Sequence, residues 1–265
     1  MAIKSADRVL QIFEVIGLKR EGITHGELAK ALNIPKGSLS LLLSNMTNGE
    51  YLTYDRVSRL YKLGPKLLIL TGHYLSNLDI VRIGRPHIHN LVAEINEDTE
   101  LAVLKDNEIL FLHKEECSKP LKYTIDIGER APIYATACGK AILAYLPEDQ
   151  LSKLLSITEL IAFTNNTITH FDALRQELEI VRTKGLAYGR QEYQNGISAI
   201  AAPVFNFCGN VVGSVTVTMP SIRFNAVHNS FIEPRLLTTV RSISKALGFD
   251  WDMGGGGSHG DLRNS

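Results

Sequence analysis

Tryptophan occurs once and cysteine three times in these 265 residues, and the charges cancel, with 28 Lys and Arg against 28 Asp and Glu. The cysteines, Cys117, Cys138 and Cys208, lie far apart and form no CxxC pair. Both a disulfide framework and a zinc knuckle are therefore excluded, and a reducing cytoplasm is the expected compartment. No apolar run approaches the roughly 18 residues that span a bilayer, so no membrane partner is expected. The N-terminus lacks a basic flank followed by an apolar block, which argues against a signal peptide. No nucleophile sits in a recognised elbow and no acid–base spacing recurs, which argues against an enzyme.

The zero net charge hides an asymmetry. Residues 1–66 hold ten basic groups and six acidic ones, a surplus of four, so the remainder is acidic by the same amount. A basic head on an acidic body suits contact with phosphates. With 45% apolar and 21% charged residues the chain reads as globular, long enough for one large domain or two ordinary ones. The final stretch, Gly254 to Ser265 (GGGGSHGDLRNS), has the composition of a flexible polar tail and takes no part in the fold reading.

In the head, Val9, Phe13 and Ile16 recur at helical spacing behind Ser5, a candidate N-cap. Thr24-His25-Gly26-Glu27 reads as a capping box that opens a second helix bearing Leu28, Ala29 and Leu32. Asn33-Ile34 ends that helix, Pro35 suits the start of the next, and Asn48-Gly49 stops it. Two short helices with a tight junction make a helix-turn-helix. Its second helix must offer polar groups to base edges, and Lys36, Ser38, Ser40 and Ser44 are the candidates. Residues 51–54 and 59–63 alternate about the polar turn Asp55–Ser58, a hairpin wing whose Arg56 and Arg59 can reach phosphates or the minor groove.

Past Gly64-Pro65, Leu67, Leu68, Leu70, His73, Tyr74 and Leu75 suggest an amphipathic linker helix, followed by one running to about Asn96 with Pro86 near its start. The rest alternates hairpins and helices without βαβ regularity, which predicts an α+β domain with an antiparallel-rich sheet. Strands are expected at 99–104, 109–113, 121–127, 197–205 and 211–219. In the last of these Val212, Ser214, Thr216 and Thr218 share a face, and a row of hydroxyls on a central strand can hydrogen-bond a ligand. Glu192 and Tyr193, in the loop before Gly196, can line the same recess or sit on the surface.

The chain resembles the IclR family of transcription regulators over nearly all of residues 4–248. The resemblance is carried by Ser5-Ala6-Asp7-Arg8-Val9-Leu10-Gln11-Ile12 and Ile34-Pro35-Lys36-Gly37-Ser38 in the head. In the body it is carried by residues 128–141 (GERAPIYATACGKA) and 196–205 (GISAIAAPVF). It implies a winged helix-turn-helix over 1–65, a linker helix over 66–78, and a GAF-like effector domain over 79–250, with 251–265 an added tail. It also implies a double-stranded DNA operator, a small-molecule effector (often an organic or aromatic acid) and a homodimer or dimer of dimers. Carried over residue by residue, the effector would meet Ala135, Thr136, Ala137, Glu192, Thr216 and Thr218. Ser40-Leu41 departs from the basic or histidine side chains common there, so the operator is not implied.

No cofactor and no metal are expected, although certain relatives bind zinc and His113 and Cys117 are the pair closest to a ligand set. Two alternatives stand beside the regulator. One is a protein-interaction scaffold, supported by the scarcity of base-reading side chains. The other is an enzyme on the C-terminal domain, for which Cys138 beside Gly139 at a helix start would need a depressed thiol pKa.

Overall fold

The structure, a computed structural model, describes residues 4–19, 21–76, 79–121, 123 and 125–249, the side chains of 72–76 excepted. The side chains of His73, Tyr74 and Leu75 of the expected linker helix and the tail at 251–265 therefore lie outside the described parts. The chain divides into two compact units, residues 1–77 and 78–265.

The first unit runs α1 (Lys4–Gly17), β1 (Ile23–Thr24), α2 (His25–Leu32), α3 (Lys36–Asn48), β2 (Leu52–Asp55), β3 (Leu60–Leu63) and α4 (Pro65–Ser76). Ser5 lies inside the first turn of α1 rather than capping it, a correction to the expected start. The Thr24 capping box is complete: its hydroxyl accepts from the Glu27 amide while the Glu27 carboxylate accepts from the Thr24 amide at 2.9 Å. Asn33 ends α2 in the left-handed conformation, at φ 48°. This αL turn and Pro35 set α2 and α3 at their junction. Ile12, Ile16, Leu28, Leu39, Leu43 and Leu52, each at most 2% exposed, form the core beneath both helices. Full burial of such side chains stabilises by roughly 1.5–3 kcal/mol each.

The wing is an antiparallel sheet in the order β1-β3-β2. Its two-residue strand β1 was not expected. Gly64 closes the hairpin, its amide donating to the Tyr51 carbonyl at 2.8 Å. A β-carbon at Gly64 would fall 2.2 Å from the Glu50 carbonyl oxygen, so only glycine fits this approach of two backbones.

The second unit holds α5 (Asp79–Ile95), β4 (Asp98–Lys105), β5 (Glu108–Glu115), β6 (Arg130–Pro132), α6 (Ala137–Leu143) and α7 (Glu148–Ser156). It continues through α8 (Phe171–Lys184), β7 (Ala187–Arg190), β8 (Ile197–Phe205), β9 (Val211–Pro220) and α9 (Ala226–Ala246). The described strands form a six-stranded antiparallel sheet in the order β6-β5-β4-β9-β8-β7, so this is an α+β fold. One face meets α5 and α9, where Gly84 sits against Leu101 and Ile243. The other meets α6, where Gly189 of β7 lies against Ala137. Pro86 falls in the interior of α5 rather than near its start.

The strand expected at 121–127 is not formed among its described residues. Instead the β5 edge at Phe111 is taken by the chain further on. The Phe111 amide donates to the Glu129 carbonyl at 3.1 Å, and the Gly128 amide donates to the Phe111 carbonyl at 2.8 Å. The alternation of Leu121, Tyr123, Ile125 and Ile127 reflects uneven burial along an irregular segment: Ile125 is buried, while Leu121 and Ile127 are about half exposed.

Candidate nucleic-acid interface and effector cavity

On the first unit, α3 presents Lys36, Ser38, Ser40, Leu41, Ser44 and Asn45 to solvent. Lys36, Ser40 and Ser44 lie four residues apart and so share one stripe of the helix. Ser40 is engaged within the protein. Its hydroxyl donates to the Lys36 carbonyl at 2.9 Å and meets His25 Nε2 at 3.0 Å, which ties the start of α2 to α3. Leu41, 71% exposed, is an apolar group on the same surface. At the wing tip Arg56 and Arg59 are exposed, and neither forms an ion pair among the described residues; Arg59 takes φ 58°. The tip is shaped by Asp55, whose carboxylate accepts from the Val57 amide at 2.8 Å and the Ser58 hydroxyl at 2.6 Å. The Ser58 bond and then the Val57 bond hold this carboxyl below its usual range.

On the second unit, α6 and the sheet enclose a cavity. Glu100 of β4 stands opposite Thr216 of β9, and Asp98 opposite Thr218; Thr216 and Thr218 stand opposite Ala201 and Ala199 of β8. The small residues of β8 leave room above the hydroxyl row. The recess is closed by Ala135, Thr136, Ala137 and Cys138 at the start of α6, by Phe111 and Tyr123, and by Glu192 and Tyr193. It leaves about 60 Å³ for the centres of water molecules. That is room for on the order of four to six waters, so a small ligand fits and a large one does not.

Most polar groups around this recess already have partners. Thr136 caps α6, accepting from the Gly139 amide at 3.2 Å and donating to the Pro132 carbonyl at 2.9 Å. Both Glu192 oxygens accept from Lys140 Nζ, at 2.8 and 2.9 Å, and the Arg190 amide donates to one of them at 3.2 Å. Lys140, 1% exposed, also reaches Glu177 at 3.1 Å. A buried lysine needs such partners, because an unpaired charge there is strongly destabilising. The loop bearing Glu192 is pinned in turn: Thr164 donates to the Gln191 carbonyl at 2.7 Å and Thr167 to the Glu192 carbonyl at 2.6 Å. Thr218 donates to Glu100 Oε2 at 2.9 Å.

Among the described residues two buried atoms of the lining have no hydrogen bond to a nitrogen or oxygen, Glu100 Oε1 and Thr216 Oγ1, the latter beside the Cys138 thiol. Burial drives Glu100 up to about 8, only partly opposed by the Thr218 bond. Cys138 does not carry the depressed pKa that an enzyme reading needs. Burial pushes its thiol up to about 11, which keeps it protonated and unreactive. Among the described residues no group of three or more His, Cys, Asp and Glu side chains is placed to hold a metal ion. No helix among them is long and apolar enough to cross a membrane.

The structure thus brings together Ala135, Thr136, Ala137, Glu192, Thr216 and Thr218 around one cavity. Sequence reasoning missed Glu100 as a lining residue and the Lys140–Glu192 pair, whose members stand 52 residues apart. A charge in the middle of the apolar strand 99–104 was the available signal for Glu100.

Comparison with known families decides the identity. The model for the IclR helix-turn-helix domain matches residues 5–56, and that for the bacterial transcriptional regulator IclR C-terminal domain matches residues 72–245. The chain belongs to the IclR family. It is 30% identical over 249 residues to the HTH-type transcriptional regulator KdgR of Escherichia coli, covering 94% of each chain. It is also 28% identical over 232 residues to the regulator KipR of Bacillus subtilis, covering 88% of this chain and 92% of that one. Among solved structures, the IclR protein of Thermotoga maritima superposes with a TM-score of 0.84 at 24% identity, covering 94% of this chain and all of that one. An IclR homolog of Microbacterium hydrocarbonoxydans, complexed with 4-hydroxybenzoate, gives 0.80 at 22% identity and covers 92% and 98%. These IclR relatives are named as transcriptional regulators, and this chain is accordingly a DNA-binding regulator rather than an enzyme.

Proposed function

We propose that this IclR-family regulator binds its operator through α3 and the wing, and that a small organic or aromatic acid in the α6 cavity modulates that binding. The carrying observation is a small cavity whose buried lining keeps two polar atoms without hydrogen-bond partners among the described residues. Unsatisfied buried polar groups are costly, by about 1–3 kcal/mol each, and a ligand that satisfies them recovers that energy. The complex of the Microbacterium homolog with an aromatic acid supports the same class of ligand. Lys36, Arg56 and Arg59 supply phosphate contacts, and Ser38, Ser40 and Ser44 face the bases. The chain works in the cytoplasm as a homodimer or dimer of dimers, whose paired heads supply the specificity that one sparse recognition helix lacks.

Fluorescence anisotropy of the purified protein with duplex from its own upstream region tests this. Its own duplex should bind more tightly than scrambled duplex, weaken steeply with salt, and respond to at least one acid in a panel of small hydroxy, keto and aromatic acids. Equal affinity for both duplexes would overturn operator recognition and favour a scaffold role. No response to any acid would overturn effector control.

A further inference from the structure

Two buried glutamates three residues apart frame the inference. Glu97 is 0% exposed and Glu100 1%. Burial raises the pKa of Glu97, yet its carboxyl is held below the usual range by Arg223, Lys119 and His228, which donate to it at 2.6–3.0 Å. Among the described residues Glu100 has no cation of this kind. Lys114 faces it from β5, but its Nζ is turned to Glu116 at 3.1 Å. Among the described residues the other titratable groups of this region are Asp98 on its own strand, Tyr123 from the segment after β5, Cys138 from α6, and Glu192 and Tyr193 across the recess; β9 brings hydroxyls. Asp98 and burial both disfavour a charge on Glu100. Tyr123 and Cys138, themselves pushed up to about 12 and about 11 by burial, are neutral neighbours.

Glu192, by contrast, is occupied. Three hydrogen bonds from Lys140 and the Arg190 amide fill its oxygens, so a ligand that used it would have to compete with a buried cation. Thr136 and Thr218 already donate elsewhere. Among the fully buried polar atoms of the described lining, Glu100 Oε1 and Thr216 Oγ1 are open to a ligand, on directly opposed positions of neighbouring central strands. Side chains at such positions stand about 5 Å apart at their β-carbons, so one carboxylate can span both.

We propose that Glu100 and Thr216 form the polar anchor of the effector cavity, with Glu100 donating its carboxyl proton to an acceptor oxygen of the ligand and Thr216 donating to a second. This rests on the effector reading above. It selects ligands with paired acceptor oxygens, carboxylates above all, in a cavity that has no free cation among its described lining residues. The anion is held by a shared proton, not by a lysine or arginine. Loss of that proton replaces a hydrogen bond with the repulsion of two carboxylates. Binding of a carboxylate therefore falls as pH rises through about 8, the value to which burial drives Glu100.

The test uses the full-length protein with 13C at the side-chain carboxyl of glutamate, and formate, acetate and 4-hydroxybenzoate as probes. The Glu100 resonance is assigned by its loss in Glu100→Gln. It should titrate near pH 8, and at least one probe should shift it at pH 6.5 but not at pH 9.5. In thermal-shift assays that probe should bind Glu100→Leu at least tenfold more weakly. Glu100→Gln keeps a donor and should bind with a flat pH profile. A Glu100 resonance that titrates below pH 6 overturns the proposal, and so does a probe that binds Glu100→Leu as well as the parent. In the latter case effector binding itself survives. If none of the three carboxylates perturbs Glu100 in the folded parent protein, the anchor is refuted. Whether the wider acid panel still shifts operator affinity then decides the effector reading separately.

Discussion

The two units of this chain handle polar groups in opposite ways. In the head, Lys36, Arg56 and Arg59 stand in water and form no ion pair among the described residues. In the body, Lys140, Glu192, Glu97 and Glu100 are almost wholly buried, and all but Glu100 are paired. An exposed charge interacts weakly, is screened by salt and tolerates substitution. A buried charge depends on particular neighbours, and losing one of them is expensive. The head is therefore suited to bind DNA in a graded, salt-dependent way, while the body holds its buried charges through particular neighbours.

The sharpest way to break this contrast is to remove a buried partner. Lys140→Met leaves Glu192 and Glu177 without their cation and should destabilise the body by about 3–5 kcal/mol. Thermal unfolding would show it, and adding Glu192→Gln should recover part of the loss. A double variant no more stable than Lys140→Met would mean that the pair is not the source of the effect.

Next in size is the pH dependence set by Glu100. Its folded pKa, about 8, lies above the usual 4.5 of a glutamate carboxyl. The folded state thus keeps a proton that the unfolded chain releases, and stability falls as pH rises from about 4.5 to about 8, then levels off. Glu100→Gln should remove that fall. The variant should match the parent near pH 4 and exceed it by on the order of 4 kcal/mol at pH 8.5. Denaturant melts at both pH values check this, and parallel curves would show that Glu100 is charged in the native state.

Effects in the head should be smaller. Thr24→Ala removes the hydroxyl of the capping box and should cost about 1 kcal/mol, measured by melting residues 1–77 within the full chain. Smallest in stability are Arg56→Ala and Arg59→Ala, which should leave the melting temperature unchanged. Each should reduce the slope of log affinity for duplex DNA against log salt by about 1. An unchanged slope would remove that arginine from the phosphate contacts.

The contrast also explains what could be read from the sequence. The head is held by local rules: a capping box four residues long, an αL asparagine, prolines and glycines at helix ends. These are written in adjacent letters, and the helix-turn-helix and wing follow from them. The two-residue strand β1 escaped because it is too short to show any period. In the body the helices and most hairpins are visible, but the cavity is assembled by register. Glu100 meets Thr216 across 116 positions of chain, and no local pattern records that pairing. The apolar alternation at 121–127 misled for the same reason. Apolar letters alone do not settle burial, since Leu121 and Ile127 are about half exposed, and backbone pairing is decided by where the β5 edge finds its partners, Gly128 and Glu129 among them.

The wing tip has a consequence for kinetics. Because Asp55 ties down Val57 and Ser58 before any nucleic acid is present, the loop that carries Arg56 and Arg59 meets its target already shaped. An ordered loop forfeits little chain entropy on docking, so the encounter has no folding step to wait for and its speed is left to electrostatic steering. Loosening the tip with Asp55→Ala should slow association more than it speeds dissociation, even though an acidic side chain has been removed from the surface proposed to face phosphates.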